Sequence, residues 1–402
     1  MDLEARVRSF GCVHWNGHSL SHDRARSERP RVLIAGGGVG AVEAALALRD
    51  LAGDRIEVRL CSPRADFVYR PFAVSAPYGA AEILRYDLPS LTARIGASFH
   101  LAGVFSVDPE AKRVIARDGE SIPYDHLVVA SGARMLWAVP GAVTFWGVAD
   151  EGGFGGVVRR LRSGTLRDAV FTMPGGGSWG LPLYELALFA STVLKKSGIE
   201  DARLTVVTPE DAPLELFGRA VGEQMTELLA ERGIDLLIGR HPIAFEDGVL
   251  SLAPGEPIEA SEVVSLPRLE GRRIDGLPAD PEGFLPTDDH GRLAGTEDVY
   301  AVGDVTAFPI KQGGIATQQA DVAAEAIAAA VGCEIEPAPF EPVLRGVLWT
   351  GAEPRYLFGR PAGGHGEVSK LSREPFWPGA DGKIIGRYLT PFLAERVEAM
   401  QS

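Results

Sequence analysis

The sequence predicts an α/β fold with two parallel-sheet nucleotide-binding domains and a small C-terminal domain. Three observations carry this. An apolar strand at Val32–Ala35 runs into Gly36-Gly37-Gly38-Val39-Gly40-Ala41 and an Ala-rich helix. The same strand–glycine–helix plan recurs at Ala169–Gly180. A third apolar strand ends in Val302-Gly303-Asp304 ahead of another Ala-rich helix. Short apolar strands alternating with helices are the pattern of βαβ units and a parallel sheet.

In chain order, residues 1–29 are polar and rich in His and Arg, and are expected to form a mobile leader. Cys12, His14, His18 and His22 lie there with no packed frame to set tetrahedral geometry, so no metal site is expected. The strand from Arg31, a helix to about Ala52 and the strand Ile56–Cys61 make one complete βαβ opening. Residues 98–129 read as antiparallel strands with turns at Asp108-Pro109 and Asp118-Gly119, closing on Leu127–Ala133. The second unit adds a helix through about Lys195, the strand Arg203–Thr208, a helix near 219–232 and short strands to about Leu266. A long helix is expected at about 315–331. The stretch 336–402 is rich in Pro, Gly and aromatics, and is expected to contain strands and a short amphipathic helix at about 390–400. The predicted division is 30–140 and 271–335 for the first nucleotide-binding domain, 141–270 for the second, and 336–402 for an interface domain.

Composition narrows the function. A chain of 402 residues has room for two or three domains. Its net charge of −14 argues against coating nucleic acid or an anionic membrane surface. None of the three cysteines forms a CxxC pair, which fits a reducing compartment. No apolar run approaches the roughly 20 residues that span a bilayer. The first thirty residues lack the apolar region of a secretory signal. A cytoplasmic protein without an integral membrane segment is expected.

Gly36-x-Gly38-x-x-Ala41 is a dinucleotide fingerprint. Gly36 permits the tight turn, Gly38 lets the backbone approach a pyrophosphate, and Ala41 lets helix and strand pack closely. Gly40 lies in the same turn, and the helix N-terminus offers free N–H groups to the phosphates. The acid that would hold the ribose hydroxyls is replaced by Ser62, a weaker partner. The second turn, Gly175-x-Gly177-x-x-Gly180, satisfies the same fingerprint, with Glu185 on the following helix and Glu210 after the next strand. Pro174, Pro182 and the bulky Trp179 are unusual in a phosphate turn. Two readings stay open: a nicotinamide dinucleotide site with Glu210 on the ribose, or a domain that keeps the fold without binding one.

The segments Val128–Ala133 and Val299–Asp304 resemble the paired segments of the two-dinucleotide-domain flavoproteins, the glutathione-reductase-like FAD/NAD(P) fold. The resemblance spans about 31–335 and implies bound FAD. It implies that Gly303-Asp304 faces the ribitol and phosphate, with Arg70, Ser131, Gly132 and Gln318 also on the cofactor side. Asp66-Phe67-Val68-Tyr69-Arg70-Pro71, Thr205–Glu210 and Phe308–Gly314 followed by Gln318-Gln319 are similar to the branch of sulfide:quinone oxidoreductases, flavocytochrome sulfide dehydrogenases and type II NADH dehydrogenases. That likeness implies that the last helix and Lys311 favour negative charge on the flavin ring. The cysteines that capture sulfur in the sulfide branch have no counterpart here: Ser178-Trp179 occupies one position, and Cys333 follows the helix. Trp179 could instead wall off the flavin and shape a substrate pocket. Tyr69, Phe72, Trp349, Phe376 and Trp377 are candidates for an aromatic acceptor site or for core packing.

The resulting expectation is an enzyme with FAD, and NAD(P)H as candidate second dinucleotide, passing electrons to a quinone-like or other small acceptor. A homodimer is a candidate assembly. Its rivals are a flavoenzyme that oxidises a small substrate without nicotinamide, and a non-catalytic FAD-binding redox sensor.

Overall fold

The computed structural model describes residues 29–147, 152–176, 179–362, 365–377 and 382–394. The expected leader, with Cys12 and its histidines, lies outside the described residues apart from Arg29, as do Gly177 and Ser178.

Strands buried on both faces pair in parallel and need helices above and below. Val32, Leu33, Ile34 and Ala35 are all buried. Their strand, Arg31–Ala35, pairs in parallel with Glu57–Ser62 on one side and His126–Val129 on the other. Ser98–Leu101 and Val299–Ala301 complete the five-stranded sheet at its edges. The stretch 98–129 therefore departs from the antiparallel expectation. Its two ends enter the parallel sheet, and only Val104–Asp108, Arg113–Ala116 and Ser121–Pro123 form an antiparallel meander. Burial separates them: every residue of His126–Val129 is buried, whereas Arg113–Ala116 alternates. Helices α1 (Val39–Ala52) and α2 (Leu88–Arg94) cover one face of this sheet.

The second sheet repeats the plan. Asp168–Thr172 lies between Arg203–Val207 and Glu262–Ser265, with Ile234–Leu237 and Val143–Thr144 outside them. Helices α3 (Phe154–Ser163), α4 (Leu181–Lys196) and α5 (Arg219–Glu231) pack into its core. A meander, His241–Glu246, Val249–Ala253 and Ile258–Glu259, again precedes the last strand of the sheet. The two units are joined where Arg134–Leu136 pairs antiparallel with Arg268–Glu270.

Helix α6 (Gly313–Ala330) packs beside α1 through Ala320, Ala323 and Ala324 against Ala41, Ala44 and Ala45. Only small side chains allow so close an approach; a Cβ on Gly40 would lie 3.1 Å from Val302 and 3.4 Å from the Ala316 carbonyl. Both helix N-termini are thereby brought to the C-terminal ends of the central strands, where open α/β sheets bind their ligands. The strands Leu344–Leu348, Arg355–Ala362 and His365–Ser372 form an antiparallel sheet. Leu344, Leu348 and Leu357 anchor it to the core of the second unit beside Phe217. The chain then returns to the first unit, where Ile384 and Leu389 are buried. Of the helix expected at about 390–400, only residues 389–394 are described, and they are helical. No helix among the described residues is long and apolar enough to cross a membrane.

Candidate functional site

A cavity of about 910 Å³ lies between the two units. That is at the upper end of small-molecule sites. One end is the first glycine turn. Gly36 has φ +152, and a Cβ there would sit 2.1 Å from the Ala130 carbonyl oxygen. A Cβ on Gly37 would sit 2.6 Å from Ser62 Oγ, whereas Gly38 faces open space. Gly38 caps α1 without a side-chain hydrogen bond, so the first N–H groups of the helix remain available to an anion. Gly36, Gly38, Gly40, Ser62, Arg70, Ser131 and Gly132 all line the cavity. Ala41 is fully buried behind the turn.

Arg70, Arg117 and Arg272 also line this end. Burial lowers the pKa of Arg272, and repulsion from Arg134, Arg70 and Arg117 lowers it further. Three converging guanidiniums in a chain of net charge −14 describe a place for an anionic ligand.

At the middle of the cavity, Val299–Ala301 delivers Gly303 and Asp304. Gly303 has φ +78, and its N–H donates to Gln319 Oε1 at 2.7 Å. Asp304 is enclosed; burial raises its pKa, against the pull of Lys311 and Arg70. Lys311 donates to the Thr306 carbonyl and stands 3.8 Å from the Phe284 ring centroid. Burial lowers its pKa to about 8, against the pull of Asp304 and Asp280. Gln312 caps α6 by accepting the Ile315 N–H, and Gly313 and Ala316 in the helix's first turn line the cavity. The buried Ser131 hydroxyl has no protein partner. An open glycine cradle, an orphaned hydroxyl, an enclosed carboxylate and unopposed arginines together fit a flavin adenine dinucleotide.

The far end holds a pair that the sequence does not announce. Lys383 Nζ lies 2.5 Å and 2.6 Å from the two Glu185 oxygens, and both side chains are buried. Glu185 Oε1 also accepts the Trp349 N–H at 2.7 Å. Burial raises the Glu185 pKa and lowers that of Lys383, and their mutual attraction opposes both shifts. Trp179, Leu181 and Pro182 join them in the wall. Trp179 packs on Phe217, with ring centroids 5.6 Å apart. Phe72 stacks on Trp349 at 5.1 Å, next to Tyr69. Phe376 and Trp377 instead pack with Phe358 and Tyr356 on the C-terminal sheet. The only sequence hint of Glu185 is a lone acid in the apolar run Leu181–Phe189; Lys383 has none.

The second glycine turn is built differently. Gly180 is the N-cap of α4 and so precedes the helix, whereas Ala41 lies inside α1. Neither Gly175 nor Gly180 lines the cavity, and Gly177 is outside the described residues. A Cβ on Gly175 would lie 2.8 Å from His241 Nδ1. Glu210 is buried, accepting from the Tyr184 hydroxyl and, at 2.9 Å, from the Thr208 hydroxyl. Burial raises its pKa to about 7, against these hydrogen bonds.

Gln318 faces away from the cavity. Its amide bonds the N–H and carbonyl of Val343 at 2.9 Å each, tying α6 to the C-terminal sheet. Cys61 lies behind Ser62 with its thiol against the Ala102 carbonyl, and burial pushes its pKa up to about 11. A thiol so held is not a nucleophilic thiolate. Cys333 follows α6 and does not line the cavity.

Two nucleotide-binding units around one anion-lined cavity define a dinucleotide-dependent oxidoreductase. The family model described as pyridine nucleotide-disulphide oxidoreductase matches residues 30–330, and the chain belongs to that family. It is an FAD-dependent enzyme. The chain is 28% identical over 214 residues to a sulfide-quinone reductase of Aquifex aeolicus, covering 51% of this chain and 49% of that relative. It therefore spans about half the length of that relative. It is 28% identical over 302 residues to an NADH dehydrogenase-like protein of Mycobacterium tuberculosis, covering 69% of this chain and 73% of the relative. The solved sulfide:quinone oxidoreductase of Aquifex aeolicus superposes with a TM-score of 0.77 at 23% identity, covering 86% of this chain and 87% of that one.

Proposed function

We propose that this enzyme takes a hydride from NAD(P)H and passes the electrons to a quinone-like small acceptor. The observation that carries the acceptor half is the buried Glu185–Lys383 pair in the cavity wall, far from the phosphate turn. When bound, FAD supplies hydride acceptance and electron release. The first glycine turn and the N-terminus of α1 would hold its pyrophosphate, and Asp304 and Ser131 would orient its ribitol. Lys311 and the N-terminus of α6 would favour negative charge on the ring. Trp179 and Leu181 exclude water from the far end. A quinone takes up protons with its electrons, and Lys383, its charge balanced by Glu185, is placed to supply one.

Names among the relatives support the donor half. One is an NADH dehydrogenase-like protein and another an external NADH-ubiquinone oxidoreductase of Saccharomyces cerevisiae. A second reading, direct oxidation of a small substrate without nicotinamide, draws on one observation: Glu210 is engaged by Tyr184 rather than turned toward a ligand. A cytoplasmic location and a homodimer belong to the same proposal, the first supported by the unpaired Cys61 and Cys333.

Steady-state turnover with NADH and a water-soluble quinone tests the reading. Wild type should reduce the quinone. Lys383→Met should still be reduced by NADH yet pass electrons on slowly. A Lys383→Met enzyme that reduces the quinone at the wild-type rate would remove the pair from the mechanism.

A further inference from the structure

The segment that carries Lys383 touches both units. The Ile384 N–H donates to the Tyr69 hydroxyl at 2.9 Å, and the Ile385 carbonyl accepts from the Thr317 hydroxyl at 3.2 Å. The Tyr388 and Leu389 N–H groups donate to the two oxygens of Glu43 at 2.9 Å and 2.6 Å. Glu43 is the fifth residue of α1, completely buried in an otherwise apolar helix. A Cβ on Gly386 would lie 2.6 Å from Glu43 Oε2, so backbone and carboxylate meet with no room between them. A buried carboxylate is costly unless hydrogen-bonded, and here the chain's own amides satisfy it.

We propose that Glu43 is a positioning residue: a latch on the phosphate-binding helix that docks the strap 383–389 and so keeps Lys383 in the cavity wall. Asp321 on α6 sits beside it. Burial and the neighbouring Glu43 raise the Asp321 pKa to about 8. Burial also raises that of Glu43, against the amides of Tyr388 and Leu389. The pair therefore retains a proton that bridges the two carboxyls. The other charged and titratable groups around it are Asp50 on α1, Glu325 on α6, and Arg387 and Tyr388 on the strap. Arg387 pairs with Glu325 at 3.3 Å and does not replace the shared proton. A carboxyl raised by folding stabilises the docked state at low pH, and that contribution is lost as pH rises through about 8. A second negative charge then enters a dry site, and the strap loosens.

Limited trypsin cleavage after Arg387 in the full flavin-loaded chain, followed by mass spectrometry across pH, reads the latch without using activity. Wild type should resist at neutral pH and become cleavable as pH passes through about 8. Asp321→Asn, which donates permanently to Glu43, should resist throughout. Glu43→Gln can accept only one of the two amides. It should be cut at all pH values about tenfold faster or more, the scale of one lost hydrogen bond to a charged group. Gly386→Ala, which leaves α1 untouched, should behave as Glu43→Gln does even if that variant folds poorly. Wild-type resistance in both Glu43→Gln and Gly386→Ala, or an unchanged pH response in Asp321→Asn, would overturn the latch. The consequence for turnover rests on the proposed role of Lys383: latch variants should keep NADH-driven flavin reduction and lose quinone reduction. Because the cleavage needs neither donor nor acceptor, it stands or falls apart from that reading.

Discussion

The two glycine turns occupy equivalent places in two sheets of one plan, yet only the first opens onto the cavity. At the first, Gly36–Gly38 alone links strand to helix, and the N–H groups of α1 face a space lined by arginines. At the second, Met173–Gly180 separates strand from helix, and Glu210 is held by Tyr184 and Thr208. The motif spacing is the same in both. What differs is where the helix begins and whether the acid after the next strand is free. A glycine fingerprint thus states what backbone is permitted, not what is bound; a ligand also needs open donors and an acid with capacity to spare.

The comparison can be broken most forcefully at the glycines. Gly36→Ala drives a methyl into the Ala130 carbonyl at a backbone angle that disfavours it. We expect a loss on the order of 4 kcal/mol and a chain purified without flavin. Gly180→Ala meets Glu210 and Met173 at an ordinary 3.4 Å, and should change stability by less than about 1 kcal/mol while keeping its flavin. Thermal unfolding and the visible flavin spectrum report both. Equal flavin loss in the two variants would abolish the contrast.

Next in size is the far end of the cavity. Glu185→Gln or Lys383→Met alone strands a buried charge and should cost about 3–5 kcal/mol. The double variant Glu185→Leu with Lys383→Met should regain most of that while acceptor reduction stays down by about a hundredfold or more. A double variant that recovers both stability and turnover would make the pair purely structural. Smaller still, Tyr184→Phe frees Glu210 from one donor and should lower the KM for NADH by about fivefold, the worth of one hydrogen bond.

The smallest effect is one of pH. Glu210 is held protonated to about pH 7, so it becomes a full acceptor only above that. NADH should bind more tightly as pH rises through about 7, and Glu210→Gln should flatten the trend in a titration of KM. A wild-type KM that is flat from acid to alkaline pH would leave Glu210 outside the dinucleotide site.

Much of this was legible in the sequence, because the signals were local. Val32–Ala41 reads as strand, turn and helix from neighbouring residues alone, and the resemblance carried Gly303-Asp304 and Lys311 to the cavity. Ser98–Leu101 and Leu127–Val129 were misread because adjacency in the chain suggested a hairpin, while burial on both faces placed them in the parallel sheet. Gln318 sits in the expected helix but points to Val343, since one turn of helix carries side chains to opposite faces. Lys383 and the latch at Glu43 were invisible because each depends on a partner about half the chain or more away. Glu43 and Glu185 were the only faint traces, single acids inside apolar helices.

The central claim is that the second unit delivers a hydride to a flavin held by the first. Anaerobic mixing of the purified flavoprotein with NADH, followed at the visible flavin absorbance band, tests it most directly. The account predicts bleaching within seconds, faster with NADH than with NADPH because Glu210 would repel a ribose phosphate. An absorbance that stays constant over minutes with either nucleotide would contradict it, and would leave direct oxidation of a small substrate in the pocket beside Trp179.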